Sequence, residues 1–143
     1  MHTFLALAEM LKIRVIVCAH SQVEFNVYGD LGSHIIRVID QSSEREEGKA
    51  NLVKEVLSET AGLGVDGVLD LRTSVEECSN IDIIHCMGMH CRWVSCLSDL
   101  QLDPPESEQL FYRGASLAFL FAQSWLLAPS KQGKLMRMLR IVL

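Results

Sequence analysis

Basic residues are in the minority in this chain of 143 residues. It has 13 Lys and Arg against 18 Asp and Glu, which gives a net charge of −5 at pH 7. Without an excess of cations there is no extended basic face to hold a phosphate backbone, so the sequence argues against a nucleic-acid partner. Hydrophobic residues make up 49% of the chain and charged residues 22%, which is typical of one globular domain.

Targeting segments and membrane spans are also missing from the pattern. The N-terminus lacks the basic region of a secretory signal, and Glu9 and Lys12 interrupt its apolar run. Residues 114–129 carry no charge, but Gln123 and Ser124 break the apolar run. It is also shorter than the roughly 20 apolar residues that a span requires. We therefore expect a cytoplasmic protein without a membrane partner.

The five cysteines offer neither a disulfide framework nor a convincing metal site. Their number is odd, and without a secretory signal we interpret them as reduced thiols. Zinc could be considered for residues 85–96, but Cys91 and Cys96 are too far apart for a zinc knuckle. Adjacent His85 and Cys86 would point to opposite faces of a strand. We expect no metal site. No Ser/His/Asp or Cys/His arrangement has a recognisable spacing either, so no catalytic residue is assigned.

Hydrophobic periodicity predicts alternating helices and strands. The predicted strands are 15–19, 35–39, 65–69, 81–87 and 117–121, and helices are predicted over 1–12, after Ser21, around residues 52–60 and after Ser130. Ser21 and Glu24 form a capping box, no helical stripe is visible over 71–80, and Pro104-Pro105 predicts an extended loop. Such alternation implies a mostly parallel sheet with right-handed crossovers.

The stretch from Gly62 to Asp70 is the most informative part of this pattern. An amphipathic helix ends at Thr60, and a short apolar strand that ends on Asp70 follows it. In open α/β sheets ligands lie outside the carboxyl ends of the strands, so the pattern indicates a nucleotide-binding layer. A Gly-rich phosphate-binding turn near the start is absent, which suggests an incomplete layer.

Several motifs resemble the cofactor domain of medium-chain dehydrogenases/reductases, in the zeta-crystallin-like quinone oxidoreductase branch. They are Arg37-Val38-Ile39-Asp40, Glu59–Asp66, Val68-Leu69-Asp70, Leu100–Pro105, Leu110-Phe111, Gly114–Leu120, Trp125 and Gln132-Gly133-Lys134. The double-proline loop that leads into the strand after Gly114 is the most specific of them.

The resemblance implies an α/β fold, namely an incomplete Rossmann-like, doubly wound parallel sheet that lacks its first strand and Gly-rich turn. Residues 1–143 would form a partial NAD(P)-binding domain without the N-terminal catalytic barrel. The whole protein would be a zinc-free reductase that transfers hydride from NADPH to a quinone or an α,β-unsaturated carbonyl. The alternative is a non-enzymatic interaction protein of the same fold that has lost turnover, and we expect this chain alone to be inactive.

Four residues are candidates for cofactor binding: His20, Ser21, Asp40 and Gly88. The strand end Ala19-His20-Ser21 has no acidic residue, which favours NADP over NAD, with His20 or Ser21 near the 2′-phosphate. Ser21 could equally be only a helix cap. Asp40 and Gly88 follow from the resemblance, as the ends of two strands. Because the Gly-rich turn is missing, we expect NADP to bind weakly or not at all.

The resemblance also predicts strand order and assembly. Strands 15–19 and 35–39 would lie on one side of the missing first strand, and strands 65–69 and 81–87 on the other. The late strand, residues 116–121, is apolar on both faces. An uncovered apolar edge invites association, so we expect a homodimer through this strand.

Overall fold

Parallel strands alternate with helices, as the sequence predicts, and they form two sheets. The computed structural model describes residues 2–29, 32, 34–41, 51–74 and 78–121. Its elements are α1 (His2–Met10), β1 (Val15–Ala19), α2 (Gln22–Gly29), β2 (Ile35–Asp40), α3 (Leu52–Glu59), β3 (Val65–Asp70), α4 (Asn80–Cys86), β4 (Met87–Ser95), α5 (Pro104–Arg113) and β5 (Ser116–Phe119). Strands β1 and β2 pair in one sheet, and the order β3-β4-β5 makes the other. The predicted α/β class is confirmed, and the helix that was predicted after Ser130 lies outside the described residues.

The first of two compact units contains the described residues up to Gln41. Its β-branched strands pair in parallel, with Val17 beside Val38 and Ala19 beside Asp40. One face of α1 and the aromatic ring of α2 cover this small sheet, because Leu5 and Tyr28 are buried together with Val17 and Ala19. The two strands therefore end side by side at one edge.

The second unit, Asn51–Phe121, has the larger core. Both pairings of its sheet are parallel, and β4 lies in the middle. Trp93 on β4 and Ile84 on α4 are fully buried, and Leu110 of α5 packs in the same cluster. The three strands of this sheet and the helices α4 and α5 therefore share one apolar core.

The run Ile81–Met87 is not the predicted strand, because residues 80–86 form α4 and the strand begins at Met87. A short continuous apolar run fits a buried strand or a buried helix equally well. Here Ser79 accepts a hydrogen bond from the amide of Ile81 at 3.2 Å and begins a helix. Ile83 and Ile84 of this helix are buried, and Met87 at the start of the strand packs in the same core.

Pro104 and Pro105 begin α5 instead of forming the predicted extended loop. Proline is well tolerated in the first turn, where the missing N–H would have no helical partner. Asp103 is the N-cap, and its backbone N–H donates to the Glu106 carboxylate at 2.9 Å. Gly114 ends the helix in the left-handed conformation, at φ 59°.

A buried ion pair ties the carboxyl ends of β3 and β4 to the loops that follow them. Arg72 contacts both carboxylate oxygens of Asp70, through Nε and Nη2 at 2.9 Å each. The carboxylate also accepts from Trp93 Nε1 at 3.3 Å and from the Ser95 hydroxyl at 3.0 Å. Asp70 and Ser95 are register partners on β3 and β4, so the network crosses the sheet.

The guanidinium extends this network into two loops. It donates to the carbonyl of Cys78 and, through Nη2, to Oδ1 of Asn80 at 3.0 Å. Asn80 in turn donates to the carbonyl of Gln101 at 3.0 Å. The segments before α4 and α5 are thus held to the end of β3.

Hydrogen bonds decide the charge state of Asp70. Burial alone would raise its pKa, but the hydrogen bonds and positive charge of Arg72, together with the Ser95 hydroxyl, outweigh burial. The pKa of Asp70 therefore lies below its ordinary value of 3.8. The carboxylate is charged wherever the fold is intact near neutral pH.

The close contact between Gly64 and Gly88 gives a first test of this packing. Both Gly62 and Gly64 have positive φ, but a Cβ on Gly62 would meet nothing within 4 Å, whereas one on Gly64 would lie 2.5 Å from the backbone nitrogen of Gly88. Gly62→Ala should lower the free energy of unfolding by about 1–2 kcal/mol, because alanine is strained in the left-handed conformation. Gly64→Ala should cost about 1–3 kcal/mol more, because backbone must move. Urea unfolding measures both, and equal losses would contradict the contact.

The ion pair gives a second test. Arg72→Met should lower the free energy of unfolding by about 3–5 kcal/mol, because it leaves a buried carboxylate without its cation. Adding Asp70→Asn should recover part of this loss, since the amide carries no charge. A double-mutant cycle by urea unfolding measures the coupling, and purely additive losses would show that the two side chains act independently.

Acid unfolding supplies the control for the same pair. Because the folded pKa of Asp70 is depressed, its stabilising effect is present above the unfolded value of about 3.9 and is lost as pH falls through the folded pKa. The free energy of unfolding of Asp70→Asn should therefore fall less between pH 5 and pH 3 than that of the unaltered chain.

Candidate functional site

The carboxyl edge of the two-stranded sheet brings three of the four predicted site residues together. Ala19 and Asp40 are register partners at the ends of β1 and β2, and the Gln41 amide donates to the carbonyl of Ala19 at 2.7 Å. His20 and Ser21 follow Ala19 directly, and the His20 side chain is exposed. His20, Ser21 and Asp40 therefore share the edge where α/β sheets bind ligands.

The start of α2 has a capping arrangement that differs in one contact from the predicted capping box. The Ser21 hydroxyl accepts from the Glu24 amide at 3.2 Å, as predicted. The Glu24 carboxylate accepts from the backbone N–H of His20 at 2.9 Å, one residue before the cap. A carboxylate thus lies beside a strand end that has no acidic residue of its own. The sequence pattern of a capping box could have revealed this neighbour.

Gly88 lies elsewhere, in the second unit, and the expectation that it follows a strand is wrong. It is the second residue of β4, so it is at the amino end of that strand. A Cβ at Gly88 would lie 2.7 Å from the carbonyl oxygen of Leu63. The close packing of backbone against the turn before β3 accounts for a glycine here, and the position is not on a carboxyl edge.

The carboxyl edge of the three-stranded sheet is filled by protein side chains. Asp70 and Ser95, the last residues of β3 and β4, are 4% and 0% exposed, and Arg72 beside them is 7% exposed. The Ser95 hydroxyl also accepts from the Leu97 amide at 3.2 Å, and the Cys96 amide donates to the Asp70 carbonyl at 2.9 Å. The polar groups at this edge are engaged within the unit. This network was not predictable from the sequence, because Arg72 lies in a stretch without periodicity.

Two thiols of the second unit, those of Cys91 and Cys96, are poor nucleophiles. Burial, and then the charge of Asp66, raise the pKa of Cys91 to about 11. Burial and the charge of Asp70 likewise raise the pKa of Cys96. Both therefore stay protonated near neutral pH, and a protonated thiol neither attacks nor binds metal well. Within the described ranges, no group of three or more His, Cys, Asp or Glu side chains could hold a metal ion.

The first unit also has a cavity of about 260 Å³ at the opposite edge of its sheet, before β1 and β2. It is lined by Glu9, Lys12, Ile13, Arg14 and His34. Both ring nitrogens of His34 are buried and have no hydrogen-bond partner among the described residues. The lining mixes both charges, so it does not select a ligand of one sign.

Across the residues that the structure describes, no helix is long and apolar enough to cross a membrane.

A curated protein from mouse, quinone oxidoreductase-like protein 1, is similar to most of this chain. The two are 38% identical in an alignment of 141 positions, which covers 91% of this chain and 39% of the mouse protein. The chain thus spans about two fifths of that relative's length. A scan against models of known protein families finds no match.

Solved structures share the fold. An alcohol dehydrogenase superfamily protein from Novosphingobium aromaticivorans has a TM-score of 0.75 at 22% identity, covering 97% of this chain and 37% of that one. A protein described as an NADPH:quinone reductase from Bacillus thuringiensis has a TM-score of 0.70 at 20% identity, covering 99% and 40%.

A third neighbour matches over most of its own length. The nucleotide-binding subdomain of the enoylreductase domain of PpsC from Mycobacterium tuberculosis has a TM-score of 0.70 at 19% identity, covering 94% of this chain and 71% of that one. At these identities the structures establish the fold alone. The mouse relative confirms the resemblance that the motifs predict, namely to part of a quinone oxidoreductase-like protein.

Proposed function

We propose that this chain is a nucleotide-binding part of an NADP-linked reductase, and that its first unit binds the 2′-phosphoadenosine end of the cofactor. One observation carries the proposal: β1 and β2 end side by side with His20, Ser21 and Asp40 at their carboxyl edge. In dinucleotide-binding folds this edge of the first mononucleotide-binding half reads the adenosine ribose. The exposed imidazole of His20 and the hydroxyl of Ser21 are suitable donors for a 2′-phosphate.

The whole protein would use this cofactor to reduce a quinone or an α,β-unsaturated carbonyl without zinc. Two similar proteins support this class, since one is named a quinone oxidoreductase-like protein and the other an NADPH:quinone reductase. Bound NADPH would supply the hydride, and the protein would orient it. No residue of this chain is assigned a catalytic role.

A non-enzymatic interaction protein of the same fold is the second candidate. The Asp70–Arg72 network favours it, because this buried pair fills a carboxyl edge of the kind where dinucleotide-binding folds receive a nucleotide. A chain of this kind would keep the nucleotide-binding fold as a scaffold and lose turnover. Cofactor binding, measured directly, separates the two candidates.

Nucleotide binding should be weak and should depend on the 2′-phosphate. NADPH fluorescence should not saturate at micromolar concentrations, because most of the pyrophosphate cradle is missing. At millimolar concentrations, adenosine 2′,5′-bisphosphate should shift the amide resonances of His20, Ser21 and Gln41, and AMP should shift them less. Saturation at micromolar NADPH would show that the Gly-rich turn is dispensable, and an absence of any shift would refute nucleotide binding.

A charge added at the cap should test the role of Ser21. Asp caps a helix as well as Ser, so Ser21→Asp should fold normally and weaken bisphosphate binding by about tenfold, or 1.4 kcal/mol, through repulsion. The matched control is Asn26→Asp, an exposed position one turn along α2 whose Oδ1 accepts from Gln22 at 3.4 Å. Equal weakening in both variants would indicate a general charge effect instead.

The edge strand β5 is the proposed homodimer interface. It is the last strand in the order β3-β4-β5, and the described part of the chain adds no further strand beside it. Phe119 and Phe121 are 60% and 56% exposed, whereas Leu117 packs against the core. The strand is therefore apolar on a face that solvent reaches, and a second copy of the chain would cover it.

A lysine on this strand should disrupt the dimer. Phe119→Lys should give a monomer in light scattering, because a cation cannot be buried unpaired at low cost. Phe111→Lys is the control, since Phe111 is 80% exposed on α5 of the same unit and should leave the dimer intact. An unaltered chain that stays monomeric at high concentration would contradict the proposed interface.

A further inference from the structure

The two carboxyl edges of this chain differ in what they leave available to a ligand. The first unit presents an exposed His20 at its edge. In the second unit, Asp70 and Ser95 are buried under Arg72, and the carboxylate accepts hydrogen bonds from Arg72, Trp93 and Ser95. His20 is therefore accessible to solvent at the first edge, whereas side chains of the chain itself occupy the second.

This difference separates the two ends of a dinucleotide. Dinucleotide-binding folds consist of two mononucleotide-binding halves, each of which receives one nucleotide outside the carboxyl ends of its strands. The adenosine end belongs to the half that contains β1 and β2. The nicotinamide end belongs to the half that contains β3, where the guanidinium of Arg72 lies.

We propose that Arg72 takes the place of the nicotinamide end, so that this chain holds only the 2′-phosphoadenosine end of NADP. The inference rests on the proposed binding of that end by the first unit. The residues around Asp70 do not fit a nicotinamide ring, because the planar guanidinium lies in a bidentate contact with the carboxylate and bridges to Asn80.

Displacing Arg72 would be unfavourable for two reasons. It would leave the carboxylate of Asp70, which is 4% exposed, without its counter-ion. The dihydronicotinamide of NADPH can donate a hydrogen bond through its amide, but it brings no positive charge to compensate. It would also release the Cys78 carbonyl and Asn80, and with Asn80 the contact to Gln101. A ligand at this edge would therefore compete with an entire network.

Titrations followed by ¹⁵N NMR test the proposal with three probes: NADPH, adenosine 2′,5′-bisphosphate and nicotinamide mononucleotide. The dissociation constants of NADPH and the bisphosphate should agree within about threefold, a difference of well under 1 kcal/mol. Both should shift the amide of His20 and leave the indole N–H of Trp93, which donates to Asp70, unchanged. Nicotinamide mononucleotide should shift neither.

The outcomes distinguish this inference from the function on which it rests. NADPH binding that is about tenfold tighter than bisphosphate binding, or a shifted Trp93 indole, would overturn the inference and leave nucleotide binding intact. If neither NADPH nor the bisphosphate binds, the proposed function fails and the inference falls with it.

A pair of variants tests whether Arg72 itself is responsible. Asp70→Asn/Arg72→Gly removes the charges and the side-chain volume, and Asp70→Asn/Arg72→Met removes the charges but keeps the volume. In the glycine variant NADPH should bind about tenfold more tightly than the bisphosphate, and in the methionine variant equally. Equal affinities in a folded glycine variant would refute the role of Arg72. If that variant does not fold, the Trp93 resonance in the unaltered chain decides.

Discussion

The contact between Asp70 and Arg72 is the interaction on which the second unit most depends. It joins the ends of β3 and β4 through Ser95 and holds the loops before α4 and α5 through Cys78 and Asn80. Few buried charges connect so many segments, and their cost is offset only because each oxygen and most donors have a partner. The loops could not adopt this path around a simple apolar residue, since none would bind their carbonyl groups.

The element types that the sequence predicts correctly are those with distinct periodicity. Strands β1, β2 and β3 are β-branched and short, and α3 has a clear apolar stripe around Val56. The prediction of a strand over Ile81–Met87 was wrong because a short apolar run fits a helix as well as a strand. Tertiary packing decided between the two. The prediction of a loop at Pro104 was wrong for another reason. Proline breaks a helix when it lies in the interior, but it is well tolerated at the first position of a helix.

The residues of the candidate site were likewise predictable only in part. The strand ends at His20 and Asp40 were predictable, because the carboxyl ends of parallel strands fall at one edge. The partnership of Arg72 with Asp70 was not, since residues 71–80 carry no pattern and a two-residue separation on a loop has no fixed geometry. Gly88 was misplaced together with its strand. A wrong element type therefore also misplaces the site residues assigned to that element. The family resemblance does not depend on the element types in this way.

The two prolines of α5 act on the unfolded chain as well as on the fold. Their rings restrict φ at Pro104 and Pro105 before any tertiary contact exists, so the first turn of α5 loses less conformational entropy than that of α4, which starts at Asn80. Helix nucleation is the costly step in helix formation, and here part of it is fixed covalently. We therefore expect α5 to be among the earliest helices that the chain samples, with β5 following it onto β4.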